Sequence, residues 1–280
     1  MTDYTFSTPR PIALTVNNLG GKVTIMATED GLTTVALSGD LAEEVSVTQD
    51  GDAVTVLSPN FDWTNSWLMR NWFRRYRIDI VIAAPVGSDL TLRLGGGDTE
   101  IIGEFGRVEA QPGAGDIHMT DACGPTSVRL GAGTITIDSI TGQTRMTNGA
   151  GTIHIGQAAA DTNLQLGTGD VTIESVTAPV HVKSGAGNVN VAAVAGDLTI
   201  DTSLGGTRVD RMSSGRLSCK GTTGDVRIGV PAGTPTWTDL STVAGRVTNN
   251  LPSVGQPMPG QDHVELRVSM VSGAIELLPV

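Results

Sequence analysis

The chain has 280 residues with 36 glycines, ten aromatic residues and a formal charge of -11. That acidic balance argues against a nucleic-acid-binding face, and no apolar run approaches the length of a bilayer span. Two cysteines exclude a disulfide framework and, with the glycine content, suit a repetitive β protein that needs many tight turns.

The N-terminus, MTDYTFSTPRP, has neither a basic start nor an apolar core, so no secretory signal is visible and a cytoplasmic protein is expected. Next, VNNLGGKVTI at 16–25 superimposes on VRLGAGTITI at 128–137, with Gly21 in the place of a recurring glycine. Between them lies FDWTNSWLMRNWFRRYR, 61–77, which holds six of the ten aromatic residues and four arginines. If the segment is helical from about Thr64, Leu68, Met69, Trp72, Phe73 and Tyr76 share one face and Arg70 and Arg74 the other. Two readings stay open. The segment is a cap over unpaired β edges, or it is a docking element for a protein partner or a membrane surface. On the docking reading, Trp63, Trp67, Arg70, Trp72, Phe73, Arg74 and Tyr76 form the interaction surface.

The centre of the chain is periodic. Gly97, Gly115, Gly133, Gly151, Gly169, Gly187 and Gly205 recur every eighteen residues, and a fixed period near twenty indicates stacked units that cannot bury their apolar faces alone. Two residues after each glycine stand Thr99, Ile117, Ile135, Ile153, Val171, Val189 and Thr207; four after stand Ile101, Met119, Ile137, Ile155, Ile173, Val191 and Val209. That alternation is the period of a strand. A second apolar column, thirteen after, runs Ala110, Val128, Met146, Leu164, Val182 and Ile200, and a third, seven after, runs Ala122, Ile140, Ala158, Val176, Val194 and Met212. Strands that return to the same column lie parallel. The expected fold is therefore all-β: a single parallel β-helix, or β-solenoid, of about 18-residue coils, right-handed because crossovers between parallel strands take that hand.

After Gly205 the spacing slips to Gly224, Gly245 and Gly273, which the spacing alone orders as successive coils with Val226, Ile228, Val247, Ile275 and Leu277 inward. The slip places Cys219 in the column of Ile200 and Val182, far from Cys123, so both thiols are expected to be free. The Pro- and Gly-rich stretch at 249–263 reads as a surface loop. No linker divides the chain, and 1–280 reads as one domain.

The iterated GAGDI, GAGTI and GTGDV units, the APVGSDL segment at 84–90 and the ending GTPTWTDLSTVAGRVTNNL resemble a bacterial β-strand-repeat family of unknown function, a domain often labelled "putative adhesin". The resemblance covers nearly the whole chain and implies a structural or adhesive role with no known chemistry. The label also implies surface exposure, which a chain with no visible export signal would reach by another route.

Four candidate sites follow from the residues. The GxG turns resemble phosphate loops, but a strand rather than a helix follows each one, so the glycines are expected to serve the backbone, by positive φ or close packing. The next residue is Asp98, Asp116, Thr134, Thr152, Asp170, Asn188 and later Asp225; an oxygen acceptor at every turn fits capping of backbone N–H groups, and calcium is confined to the pair Asp98 and Asp116. The outward column three after each glycine is Glu100, His118, Thr136, His154, Thr172, Asn190 and Arg208, in which only Glu100 and His118 could share a proton. No carboxylate pair of the kind that cleaves glycosidic bonds is apparent. The fourth candidate is 61–77. The expected function is a non-enzymatic structural or interaction protein without metal or cofactor, binding a protein partner or itself; the alternative is a carbohydrate-binding or carbohydrate-active β-helix using an outward face.

Overall fold

A computed structural model describes residues 2–39, 41–59, 77–255, 258 and 260–280. The protein is all-β and β-solenoid-like; among the described residues the one helical element is a 3-10 turn, Ala42–Glu44. Its strands are made by alternation. In Val189–Ala195 the side chains of Val189, Val191 and Val194 are buried while Ala192 faces out, and the longer step from 191 to 194 marks a corner. Residues eighteen apart stand side by side: Val171 beside Val189, Ile173 beside Val191, Val176 beside Val194. The chain forms two compact units, Met1–Gln143 and Thr144–Val280.

In the first unit, one wall stacks Ala53–Leu57, Ala13–Asn18, Asp89–Leu94, Val108–Pro112 and the start of Thr126–Ile140, all parallel. The other stacks Ile78–Pro85, Val23–Thr28, Thr99–Ile102, Ile117–Ala122 and the end of Thr126–Ile140. Each wall begins on an antiparallel strand. Ser46–Asp50 lies on Ala53–Leu57, and Leu32–Gly39 lies on Ile78–Pro85 and carries Thr2–Ser7. Gly21 occupies the recurring glycine place, with φ of 118° and Val23 beside Thr99.

In the second unit, one wall runs from the start of Thr144–Ala158 through Thr162–Thr168, Val180–Ala186, Leu198–Leu204, the end of Thr207–Thr223 and Val264–Ser272 to Thr236–Ala244. The other runs from the end of Thr144–Ala158 through Val171–Val176, Val189–Ala195, the start of Thr207–Thr223, Val226–Val230 and Ile275–Pro279 to Val247–Asn249. The spatial order at this end differs from the chain order expected from glycine spacing. Ile275 stands between Val226 and Val247, so the segment 264–279 is inserted inside the rung 236–249. Composition explains the inversion. Val264, Leu266, Val268, Met270, Ile275 and Leu277 are buried with a rung on either side, whereas the rung outside them offers Thr236, Thr238, Leu240, Thr242, Val247 and Asn249 at the same positions. Val247, expected inward and covered, is 41% exposed.

The three predicted apolar columns are buried rung after rung. Each fully buried aliphatic side chain contributes roughly 1.5–3 kcal/mol, which offsets the entropy of ordering a chain with so much glycine. The slip before Gly224 sets Ile200 beside Cys219. Desolvation there pushes the Cys219 thiol up to about 11 against a weaker downward pull from the Thr207 hydroxyl. Cys123 is half-buried and donates to the Phe105 carbonyl at 3.0 Å; both cysteines are free.

Candidate functional site

The glycine corners are backbone devices. Gly97, Gly115, Gly133, Gly151, Gly169, Gly187 and Gly205 have φ of 112°, 118°, 136°, 131°, 127°, 127° and 130°, a region that side chains with a Cβ rarely adopt. A Cβ on Gly115 would also strike the carbonyl of Gly97, and one on Gly205 the carbonyl of Gly187. The amides a phosphate would need are already engaged: Gly97 N–H donates to Ala114, Gly115 N–H to Ala132, Gly169 N–H to Ala186 and Gly187 N–H to Leu204.

Five members of the oxygen-bearing column beside these corners, Asp98, Asp116, Asp170, Asn188 and Asp225, are engaged in the same way. Asp116 Oδ1 accepts from Thr134 N–H at 2.8 Å, Asp170 Oδ1 from Asn188 N–H at 2.7 Å, Asn188 Oδ1 from Gly206 N–H at 3.0 Å and Asp225 Oδ1 from Ala274 N–H at 2.8 Å. Asp98 Oδ1 accepts from Asp116 N–H at 3.3 Å. Each side chain caps a backbone donor of the next rung. Among the described residues no group of three His, Cys, Asp or Glu side chains comes close enough to hold a metal ion.

In the outward column, both members of the one pair that could share a proton have other partners. Glu100 and His118 are on adjacent rungs, but Glu100 Oε2 pairs with Lys22 Nζ at 2.8 Å and His118 Nε2 contacts both carboxylate oxygens of Asp138 at 3.1–3.2 Å. The hydrogen bond from Lys22 and then its charge hold the Glu100 carboxyl below the usual carboxylate range, and Lys22 is raised by the same contact. A general acid needs the opposite shift. His154 repeats the pattern on Glu174 at 3.5 Å. Further along, Arg216 pairs with Glu265 and Arg227 with Glu276, each at 2.8 Å. Lys22 and Asp138 are missing from the sequence reading because they sit outside the periodic column, Lys22 in the early strand region and Asp138 two residues further along the next coil.

The second unit carries an open groove of about 820 Å³. Its rim is the ladder Thr147, Gln165, Lys183, Asp201 and Lys220, and its other side is left low by Gly149, Gly167 and Gly185. Ser184 and Thr202 also line it, and their buried hydroxyls have no hydrogen-bond partner among the described residues. Among the described residues no aromatic ring lines the groove. The segment 61–77, with Trp63, Trp67, Arg70, Trp72, Phe73, Arg74 and Tyr76, lies outside the described residues except for exposed Arg77.

Corners without a free amide, turn carboxylates that cap neighbours and charges that pair off along the stack define a repeat-built all-β protein organised around its own stacking. The chain belongs to the Toastrack DUF4097 family, a domain of unknown function whose model matches residues 12–277. Solved structures to which it is similar include a "putative adhesin" from Bacteroides fragilis NCTC 9343, 11% identical over 99% of this chain and 96% of that one, with a TM-score of 0.35. Another is a "putative adhesin" from Parabacteroides distasonis ATCC 8503, 11% identical over 98% and 96%, with a TM-score of 0.45. A third is a "putative cell adhesion protein" from Clostridium sporogenes ATCC 15579, 12% identical over 100% and 99%, with a TM-score of 0.22. No curated protein matches the chain.

Proposed function

We propose that this protein is a non-enzymatic structural or interaction scaffold, a β-helix of about eighteen-residue, right-handed coils whose outer face meets a protein partner or a second copy. The observation that carries the reading is the pairing of Glu100 with Lys22 and of His118 with Asp138. Both members of the one pair in the outward column that could share a proton are thereby engaged with other partners, and the Glu100 carboxyl is lowered chiefly by the hydrogen bond from Lys22. A cytoplasmic location belongs to the same reading and is supported by two free thiols. The test has two arms. Purified chain is incubated with a panel of polysaccharides and new reducing ends are counted; none are expected. The full chain and a chain lacking 61–77 are used in parallel to capture partners from the native cell, and loss of a partner with the shorter chain is expected. Polysaccharide turnover that vanishes in Glu100→Gln would overturn the scaffold.

A further inference from the structure

The rung 236–249 is the last of the second unit, and its longer strand, Thr236–Ala244, pairs with Val264–Ser272 on one side alone among the described residues. Its sequence is TWTDLSTVA. The strand has none of the devices that blunt an exposed edge: no proline, no lysine and a single charge, Asp239. That charge is answered by Arg267, whose Nε lies 3.5 Å from the Asp239 carboxylate and whose guanidinium sits 5.8 Å from the centre of the Trp237 ring. Two large apolar side chains face out from the strand, Trp237 at 52% exposure and Val243 at 84%.

We infer that this edge pairs with the same edge of a second copy, antiparallel and centred on Leu240. The sequence is self-complementary about that residue. Two-fold pairing sets Trp237 against Val243 of the second copy, Thr238 against Thr242, Asp239 against Ser241 and Leu240 against itself. Aromatic on β-branched and threonine on threonine are stabilising cross-strand pairs, and no like charges meet. The backbone phase agrees. Val264 N–H donates to the Pro235 carbonyl, so the odd-numbered peptide groups of the strand face inward to Val264–Ser272 and those of Thr236, Thr238, Leu240 and Thr242 face the free edge. In the pairing, Thr238–Thr242 and Leu240–Leu240 become the hydrogen-bonded pairs of an antiparallel ladder. The second copy also continues the inner face, covering Leu240 and the threonines around it. An antiparallel strand on the end of a parallel wall has precedent within the chain, where Ser46–Asp50 closes on Ala53–Leu57 and Leu32–Gly39 on Ile78–Pro85.

This names the partner left open above and rests on the interaction reading; the polysaccharide assay is blind to this edge, so the two fail separately. The full chain is measured by sedimentation velocity across a concentration series. Wild-type chain is expected to dimerise. Ser241→Asp sets a carboxylate against Asp239 of the second copy, twice per dimer by symmetry, and is expected to weaken dimerisation roughly tenfold or more, with an unchanged unfolding midpoint at dilutions where both chains are monomeric, because Ser241 is exposed. The exchange Asp239→Ser with Ser241→Asp restores one carboxylate per pair and is expected to restore the dimer. A wild-type chain that stays monomeric overturns the proposal, whether the threonines act as a polar end cap or the edge receives another protein. So does a dimer indifferent to Ser241→Asp, or one that the exchange fails to rescue.

Discussion

The first rungs of the first unit and the last rung of the second face the same problem with different solutions. Where the parallel walls of the first unit begin, antiparallel strands lie across them, and the side chains beneath, Val35, Leu37, Val54, Val56, Ile80 and Ile82, are all fully buried. The last rung of the second unit keeps the register of its neighbours and changes its chemistry instead. Thr236 replaces Val264, Thr238 replaces Leu266, Thr242 replaces Met270 and Asn249 replaces Leu277. The turn column changes too. Asp225 caps Ala274 N–H on the next rung, but the places after Gly273 and Gly245 hold Ala274 and Arg246, neither of which has a side-chain acceptor to offer. A solenoid position is thus defined by what lies on both sides of it, and its composition shifts where one side is missing.

The sharpest test compares two leucines in neighbouring inner positions. Leu266→Ala empties a site with no exposed surface and should cost about 2–5 kcal/mol in urea unfolding of the monomeric chain at high dilution, while Leu240→Ala, part-exposed one rung out in that monomer, should cost less than half as much. Equal losses would mean that the last rung is as covered as those within. At the corners, Gly169→Ala meets both a φ of 127° and the carbonyl of Gly151, and should lower stability by about 1–3 kcal/mol. Gly255→Ala in the loop meets nothing within 4 Å among the described residues and should stay within about 0.5 kcal/mol of wild type by the same measurement. Next comes the cap: Asp116→Ala leaves Thr134 N–H without its acceptor and should cost about 1 kcal/mol, Asp116→Asn less, and Arg246→Ala nothing measurable.

The smallest effect is electrostatic. The hydrogen bond from Arg216 chiefly lowers the Glu265 carboxyl, and Lys22 lowers Glu100 likewise. Because both are depressed in the folded chain, their contribution is complete above the ordinary glutamate value of about 4.3 and disappears as pH falls through the folded values. Both keep about a third of their side-chain surface in solvent, so Glu265→Gln should flatten the acid limb of stability against pH only slightly.

Much of this was legible in the sequence because identical neighbours leave identical requirements. The glycine spacing and the columns through Ile137, Met146 and Val176 predict the stacked neighbours, and even the slip that sets Cys219 beside Ile200 shows in the spacing. What periodicity cannot carry is pairing between distant segments. Val226 meets Ile275 across 49 residues and Val23 meets Thr99 across 76, with no fixed period to announce either. The antiparallel strands near the N-terminus are hidden for a related reason, since alternation sets a strand without setting its direction. The outward column did single out Glu100 and His118. Their true partners, Lys22 and Asp138, are chosen by side-chain reach across rungs, and the groove beside Lys183 and Asp201 depends on three glycines being small rather than on any motif.

The inserted segment 264–279 also constrains the route by which the second unit forms. Elsewhere in that unit each rung can settle on the one made just before it, a local zippering with short loops to close. Thr236–Ala244 cannot, because its only described neighbour follows it in the chain. Val264–Ser272 must cross back to pair with Gly215–Thr223 before the rung 236–249 can join the stack. The expected order sets the rung with neighbours on both sides first and the outer rung last, even though the first closure spans 49 residues. Hydrogen exchange during refolding should therefore protect the amides of Leu217 and Cys219 before those facing Thr236–Ala244, making this end the slow step of an otherwise sequential assembly.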